Sequence, residues 1–181
     1  MSTEKVLRSS GLVAIASGVI LIVLAIVLLA ARAAAEIPDV VPVALRLSAH
    51  ILMVFALVGI YFALSPWSGK LGQAGVVLAV IGLLLIIADF FALVGWLMLL
   101  LGLLLCATAC TRAGLKTGPG LWLWLIGASF AFVMAMMGWP VLAALGVMVS
   151  GCGRMWLGFA ARGEMPALTK VSRPEAAAPA T

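Results

Sequence analysis

Hydrophobic residues form long runs in this chain, and one of them extends from Leu71 to Cys110. Its 40 residues are apolar except for Gln73, Asp89 and Thr108. A single helix of that length would extend about 60 Å at about 1.5 Å per residue, twice the thickness of a bilayer's hydrocarbon core. The run therefore predicts two membrane spans joined by a turn near its middle.

Two positions compete for that turn. Asp89 is favoured, because it gives two spans of similar length and because an Asp side chain caps a helix well, here one starting at Phe90. The alternative is Gly95, which would place Trp96 at a membrane interface but leave the second span short.

Other breaks follow from helix-breaking residues at Pro38, at 65–70, at 118–120 and at 138–140. Together they predict an all-α integral membrane protein, a bundle of six transmembrane helices forming one domain over residues 1–161. The predicted spans are about 11–31, 42–64, 71–88, 90–111, 121–137 and 140–161. Residues 162–181, rich in Pro and Ala, predict a disordered cytoplasmic tail.

The first span has a second interpretation. Lys5 and Arg8 followed by an apolar run and small residues resemble a signal peptide. The run over 11–31 is 21 residues long, whereas the hydrophobic region of a signal peptide is about 7–15. An uncleaved span is favoured; cleavage would leave five spans in the same orientation.

Composition agrees with a membrane location, since 66% of residues are hydrophobic and 9% are charged, against about 25% charged in soluble domains. The net charge of +5 comes from Lys and Arg at the ends of apolar runs, so no nucleic-acid partner is expected. Arg32 and Arg46 lie on one side of the predicted membrane, and the other nine basic residues lie on the opposite side. By the positive-inside rule both termini are predicted to lie in the cytoplasm, and the protein is predicted to lie in the cell inner membrane. The nine are Lys5, Arg8, Lys70, Arg112, Lys116, Arg154, Arg162, Lys170 and Arg173.

Small residues recur three and four positions apart on three spans, which places each set on one helical face. Such faces let helices approach closely in lipid. Packing within the chain is favoured, with other membrane subunits or a homo-oligomer as the alternative. The packing residues are Gly72, Gly75, Ala79, Gly82, Gly127, Ala131, Ala143, Gly146, Ser150 and Gly153.

Three polar residues are candidates for an outward-facing pocket. Arg46 and His50 share a face of the second span, and Asp89 joins them if it is buried. Ordinary structural roles are favoured for each: Arg46 reaching the outer surface or an acid, His50 bonded to a neighbouring helix, Asp89 in a turn. A ligand-binding or proton-transfer site remains the alternative.

No metal site or cofactor is expected. The single His excludes a haem held by two histidines, and Cys106, Cys110 and Cys152 include no C-x-x-C pair. The tryptophans are interpreted as residues of the membrane interfaces, with Trp124 near the cytoplasmic one.

The segments 49–52 and 57–61, followed by Gly72, Gly75 and Gly82, resemble a pattern in small polytopic membrane proteins of bacteria and archaea that have no assigned function. The resemblance implies a membrane location and a helix count. Size and span number are also similar to those of the substrate-binding subunits of energy-coupling-factor vitamin transporters, without a match of motifs.

The function expected from the sequence is non-enzymatic: an accessory or small transport-type subunit that works through helix–helix contacts in the lipid bilayer. The alternative is an intramembrane enzyme acting on a lipid-soluble substrate, with Asp89 or His50 as the acid or base.

Overall fold

The structure, a computed structural model, describes residues 3–32, 38, 40–89 and 91–163. These residues form six helices, each long and apolar enough to span a membrane. Helix α1 covers Thr3–Arg32, α2 covers Val40–Phe62, α3 covers Gly69–Ala88, α4 covers Ala92–Arg112, α5 covers Gly118–Met136 and α6 covers Pro140–Gly163. Many large apolar side chains on the outer surface are exposed, among them Phe55, Phe62 and Ile126. An apolar exterior is compatible with a polytopic membrane protein.

Helices α2 and α3 are separated more abruptly than the sequence predicts. The helical backbone continues past Phe62 as far as residue 68, although a linker was expected at residues 65–70, and it leaves helical geometry at Gly69. Gly69 has φ 61° and ψ −172°, a conformation that glycine adopts without the steric cost of a Cβ. One glycine therefore makes the turn.

The break between α3 and α4 lies at Asp89 rather than at Gly95. Helix α3 ends at Ala88 and α4 begins at Ala92. The expected cap is wrong, however: the residue preceding α4 is Phe91, and no side chain caps that helix end. Asp89 instead has φ 56°, so its backbone forms the left-handed turn after α3, a role that Asp tolerates better than most residues.

Three helix pairs are joined by glycines seven residues apart. Each pair is antiparallel, and a Cβ added to any of these glycines would meet the neighbouring helix at 3.0 Å or less. We call these contacts glycine seams. They are α1–α6 (Gly11, Gly18 with Gly158, Gly151), α3–α4 (Gly75, Gly82 with Gly102, Gly95) and α5–α6 (Gly120, Gly127 with Gly153, Gly146).

The packing residues expected from the sequence lie on or beside these seams. All ten are buried except Ala143, which is half-buried. Because α6 has one seam facing α5 and another facing α1, it is the central helix of the bundle. Helix α2 packs on α1, and α4 packs more sparsely on α5, where Trp96 and Phe132 have ring centroids 5.6 Å apart.

The two ends of the bundle differ in charge, because one has several basic residues at or near helix ends and the other has Arg32 at the end of α1; the basic residues of the first end are Lys5, Arg8, Lys70, Arg112, Lys116 and Arg162. At the end we call the basic end, α1 begins and α6 finishes, and Gly11 lies against Gly158 and Arg162. At the opposite end, α1 finishes at Arg32 and α6 begins at Pro140. Of the expected tail, residues 162–181, the first two belong to α6 and residues 164–181 lie outside the described residues, as do Glu36 and Asp39.

A buried arginine and its cavity

The most unusual polar group inside the bundle is the guanidinium of Arg154 on α6. Its side chain is 2% exposed, and it lies nine residues before the end of α6, about 14 Å along the helix at about 1.5 Å per residue. The sequence counted Arg154 among the cytoplasmic basic residues. A charge buried that deep inside the bundle does not report membrane orientation, so Arg154 no longer counts towards that prediction.

Arg154 connects α6 to α1 and α2. Its Nη1 donates a hydrogen bond to Ser17 Oγ at 2.8 Å and another to the backbone oxygen of Ala49 at 3.2 Å. Ser17 Oγ in turn donates to the same Ala49 oxygen at 2.8 Å. Three helices therefore meet at one guanidinium, and Ser17 and Ala49 are themselves fully buried.

An aromatic ring covers the same guanidinium. The central guanidinium carbon lies 4.6 Å from the centroid of the Trp124 ring, within the distance at which a cation is attracted to a π face. Trp124 is 0% exposed, so its expected place at the membrane interface is wrong. It lies six residues inside α5, about 9 Å from the start of that helix.

Two hydrogen-bond donors in this group have no acceptor among the described residues. They are Arg154 Nε and Trp124 Nε1, and both atoms are fully buried. A buried donor without an acceptor costs about 1–3 kcal/mol, and more when the group is charged. Such pairs of donors are rare in folded proteins and call for an explanation.

Both side chains line a cavity of about 150 Å³ between α1, α2, α4, α5 and α6. A space of that size holds several water molecules. Arg46 and His50 line it as well, and His50 is 5% exposed. His50 Nδ1 donates to the backbone oxygen of Arg46 at 2.7 Å, which leaves Nε2 as the other polar atom of the ring.

A larger cleft of about 460 Å³ lies beside this cavity at the opposite end of the bundle. Leu28, Trp96, Ala131 and Val147 line both spaces, so the cleft leads towards Arg154. Apart from Arg32, the residues that line the cleft are uncharged and mostly apolar.

In the described part of the chain, the charged residues that line the cavity and the cleft are all arginines. Arg32, Arg46 and Arg154 contribute to their walls, and among the described residues no Asp or Glu does. The sequence grouped Asp89 with Arg46 and His50, but Asp89 is exposed at the α3–α4 turn and lines neither space. The structure thus brings Arg46 and His50 together and replaces Asp89 with Arg154.

One sequence signal would have identified Arg154. The run from Leu121 to Ala161 is apolar apart from this arginine and a few small polar residues, and intramembrane charges usually mark functional sites. Its partner Ser17 is 137 positions away, so no local pattern indicates the pair.

The cysteines lie apart from the cavity. Cys106 and Cys110 are buried on α4, where Cys106 Sγ donates to the Gly72 oxygen at 3.7 Å, and Cys152 is exposed. Within the described ranges, His, Cys, Asp and Glu form no cluster of three that would hold a metal ion.

Comparison with known protein families, with curated proteins and with solved structures finds no match to this chain. The assignment of function therefore depends on the geometry around Arg154.

Proposed function

We propose that this protein is a non-enzymatic accessory or small transport-type subunit of the cell inner membrane that binds a small molecule in the Arg154 cavity. The observation that carries the proposal is a buried guanidinium with an unpaired donor, at the inner end of a cleft that opens at one end of the bundle. Ligand sites in helical proteins commonly lie between helices, are mostly apolar and contain a few polar groups that orient the ligand.

The cleft opens on the outer face in this proposal. Without Arg154, eight of the remaining ten basic residues still lie on the predicted cytoplasmic side, and Arg32 and Arg46 lie on the other. The positive-inside rule then places both termini in the cytoplasm and Arg32, at the mouth of the cleft, outside.

The alternative, an intramembrane enzyme that uses Asp89 or His50 as acid or base, has less support. Asp89 lies at an exposed turn away from the cavity. Of the two expected groups, only His50 lines the cavity.

A labelling experiment tests the orientation. In a variant whose three cysteines are replaced by Ala, Ala135→Cys in the cleft is expected to react with a membrane-impermeant maleimide added to intact cells. Ala113→Cys, an exposed residue between α4 and α5 at the basic end, is the matched control. It is expected to react only after permeabilisation, and the reverse pattern would refute the proposed orientation.

Obstruction of the cleft tests binding. Val147 lines both spaces, whereas Val149 on the same helix is 37% exposed. Native mass spectrometry of protein extracted in mild detergent is expected to show a bound small molecule in the wild type and in Val149→Trp, and none in Val147→Trp. Equal retention by the two variants would contradict binding at this site.

A further inference from the structure

The walls of the cavity specify the chemistry of its ligand. Arg154 Nε and Trp124 Nε1 are buried hydrogen-bond donors without acceptors, and Arg46, an exposed residue of α2, contributes to the wall of the same space. A ligand that satisfies them must supply acceptor atoms. A hydrocarbon would leave the donors unpaired, and a cation would be repelled by two arginines.

The charge of Arg154 also indicates a ligand that supplies acceptor atoms. A guanidinium inside a membrane protein is normally paired with a carboxylate or with backbone carbonyls. Arg154 has one backbone oxygen and one hydroxyl as partners, both at Nη1, and no carboxylate lines the cavity in the described part of the chain. A carboxylate or phosphate would bring the missing negative charge, with acceptor oxygens suited to the planar fork of an arginine.

The volume and the walls of the cleft indicate the size and polarity of the rest of the ligand. Its volume of about 460 Å³ lies within the range of about 300–1,000 Å³ typical of small-molecule sites. Leu28, Trp96, Phe132 and Val147 give it apolar walls. An apolar chain in the cleft would place an attached acidic group beside Arg154.

We propose that the Arg154 cavity binds the oxyanion of an acidic amphiphile, a carboxylate or phosphate attached to an apolar chain that lies in the cleft. This assignment rests on the proposed function. It names Arg154 and Trp124 as the residues that select an anion and Val147 as the residue that admits the chain.

The test uses four probes on the full chain in a neutral detergent: dodecyl phosphate, dodecanoate, dodecanol and inorganic phosphate. Native mass spectrometry identifies each bound probe by its mass, and titration gives its apparent Kd. The two acidic amphiphiles are expected to bind at least about tenfold more tightly than dodecanol, the effect of a hydrogen bond to a charged group. Inorganic phosphate, which lacks the chain, is expected to bind at least about tenfold more weakly than dodecyl phosphate.

Two arginine variants test whether Arg154 is the residue that selects the acidic probes over dodecanol. Arg154→Met is expected to remove the preference for the acidic probes over dodecanol. Arg162→Met, eight residues further along α6 and not part of the cavity wall, is the matched control and is expected to keep it. The wild-type comparison of dodecyl phosphate with dodecanol tests the proposal even if Arg154→Met does not fold.

The outcomes separate the two proposals. If no probe binds, or if Val147→Trp binds all of them as the wild type does, the proposed function fails. If dodecanol binds as tightly as the acidic probes and Val147→Trp blocks it, a ligand site exists but the oxyanion assignment is wrong. Equal affinity for inorganic phosphate and dodecyl phosphate would refute the amphiphile and indicate a site for a free anion.

Discussion

The α3–α4 and α1–α2 interfaces hold neighbouring helices together in different ways. Along α3–α4, a Cβ on Gly82 would lie 2.6 Å from the backbone oxygen of Gly95, so the two backbones are in contact. Along α1–α2, a Cβ on Gly59 would meet the Ser10 hydroxyl, and Ser17 reaches the Ala49 oxygen. Polar side chains therefore fill the space between α1 and α2, whereas glycines let the backbones of α3 and α4 touch.

This difference explains where the cavity lies. Where two glycines of a seam meet, the contact is between backbones and leaves no room for a side chain; Arg154 lies on α6 between Gly151 and Gly158 of one seam and next to Gly153 of the other. The α1–α2 interface has side-chain hydroxyls and a backbone oxygen to offer, so a guanidinium from α6 finds partners there. The acceptors of the Arg154 guanidinium are therefore supplied by the α1–α2 interface.

The largest effect is expected from Gly82→Val in the α3–α4 seam. The added atoms would collide with backbone, which cannot move without separating the helices, so we expect a loss of about 3 kcal/mol in the free energy of unfolding. Unfolding by a denaturing detergent, followed by tryptophan fluorescence, measures it. Gly163→Val is the control, since nothing lies within 4 Å of a Cβ there, and an equal loss in both variants would refute the seam.

A smaller loss, about 2 kcal/mol, is expected from Ser17→Ala, because it removes a hydrogen bond from a buried charged donor. The same unfolding measurement on Arg154→Met and on the double variant completes a thermodynamic cycle. The loss should largely disappear in the Arg154→Met background. An undiminished loss there would mean that Ser17 contributes through its hydrogen bond to Ala49 or by packing, and not through Arg154.

Gly59→Ala sharpens the comparison, with an expected loss of about 1 kcal/mol. The new methyl group meets the Ser10 side chain instead of a backbone: the Ser10 hydroxyl can rotate away, and Ser10 Cβ, 2.9 Å from the added atom, needs only a small shift of α1. Measured beside Gly82→Ala, it should give the smaller loss. The opposite order would mean that α1 and α2 are packed as closely as α3 and α4.

The smallest effect is expected at the α3–α4 turn. Asp89 has φ 56°, which glycine adopts freely and alanine does not. Asp89→Gly should leave the free energy of unfolding unchanged or slightly raised, and Asp89→Ala should lower it by less than about 1 kcal/mol. A large loss in Asp89→Gly would show that the carboxylate itself has a structural role.

The sequence predicts much of the architecture, because hydrophobic length and helix breakers are local properties. Six helices follow from them, and the structure places the α3–α4 break at Asp89. The same reasoning failed on the cap at Asp89. Asp89 could end α3 in a turn or cap the start of α4. Its backbone forms the turn, and α4 begins three positions later.

The site was less predictable, because its pairs are distant in sequence. Arg46 and His50 could be grouped, since they lie four positions apart on one helix. Arg154, Ser17 and Trp124 meet only after three different helices pack together. A count of basic residues assigns each charge to the nearer membrane surface, and so it missed an arginine that points into the bundle.

The two seams of α6 also constrain the order of assembly. Helix α6 is the last of the six helices to leave the ribosome, yet it joins α1 to α5 and supplies Arg154. Synthesis of the 122 residues from Ala33 to Arg154 takes on the order of ten seconds at ribosomal rates. During that interval Gly11 and Gly18 lack the α6 backbone against which they pack, and Ser17 has no guanidinium from which to accept a hydrogen bond. The cavity is thus completed only when α6 packs, and a nascent chain that lacks α6 has five helices but not the Arg154 cavity.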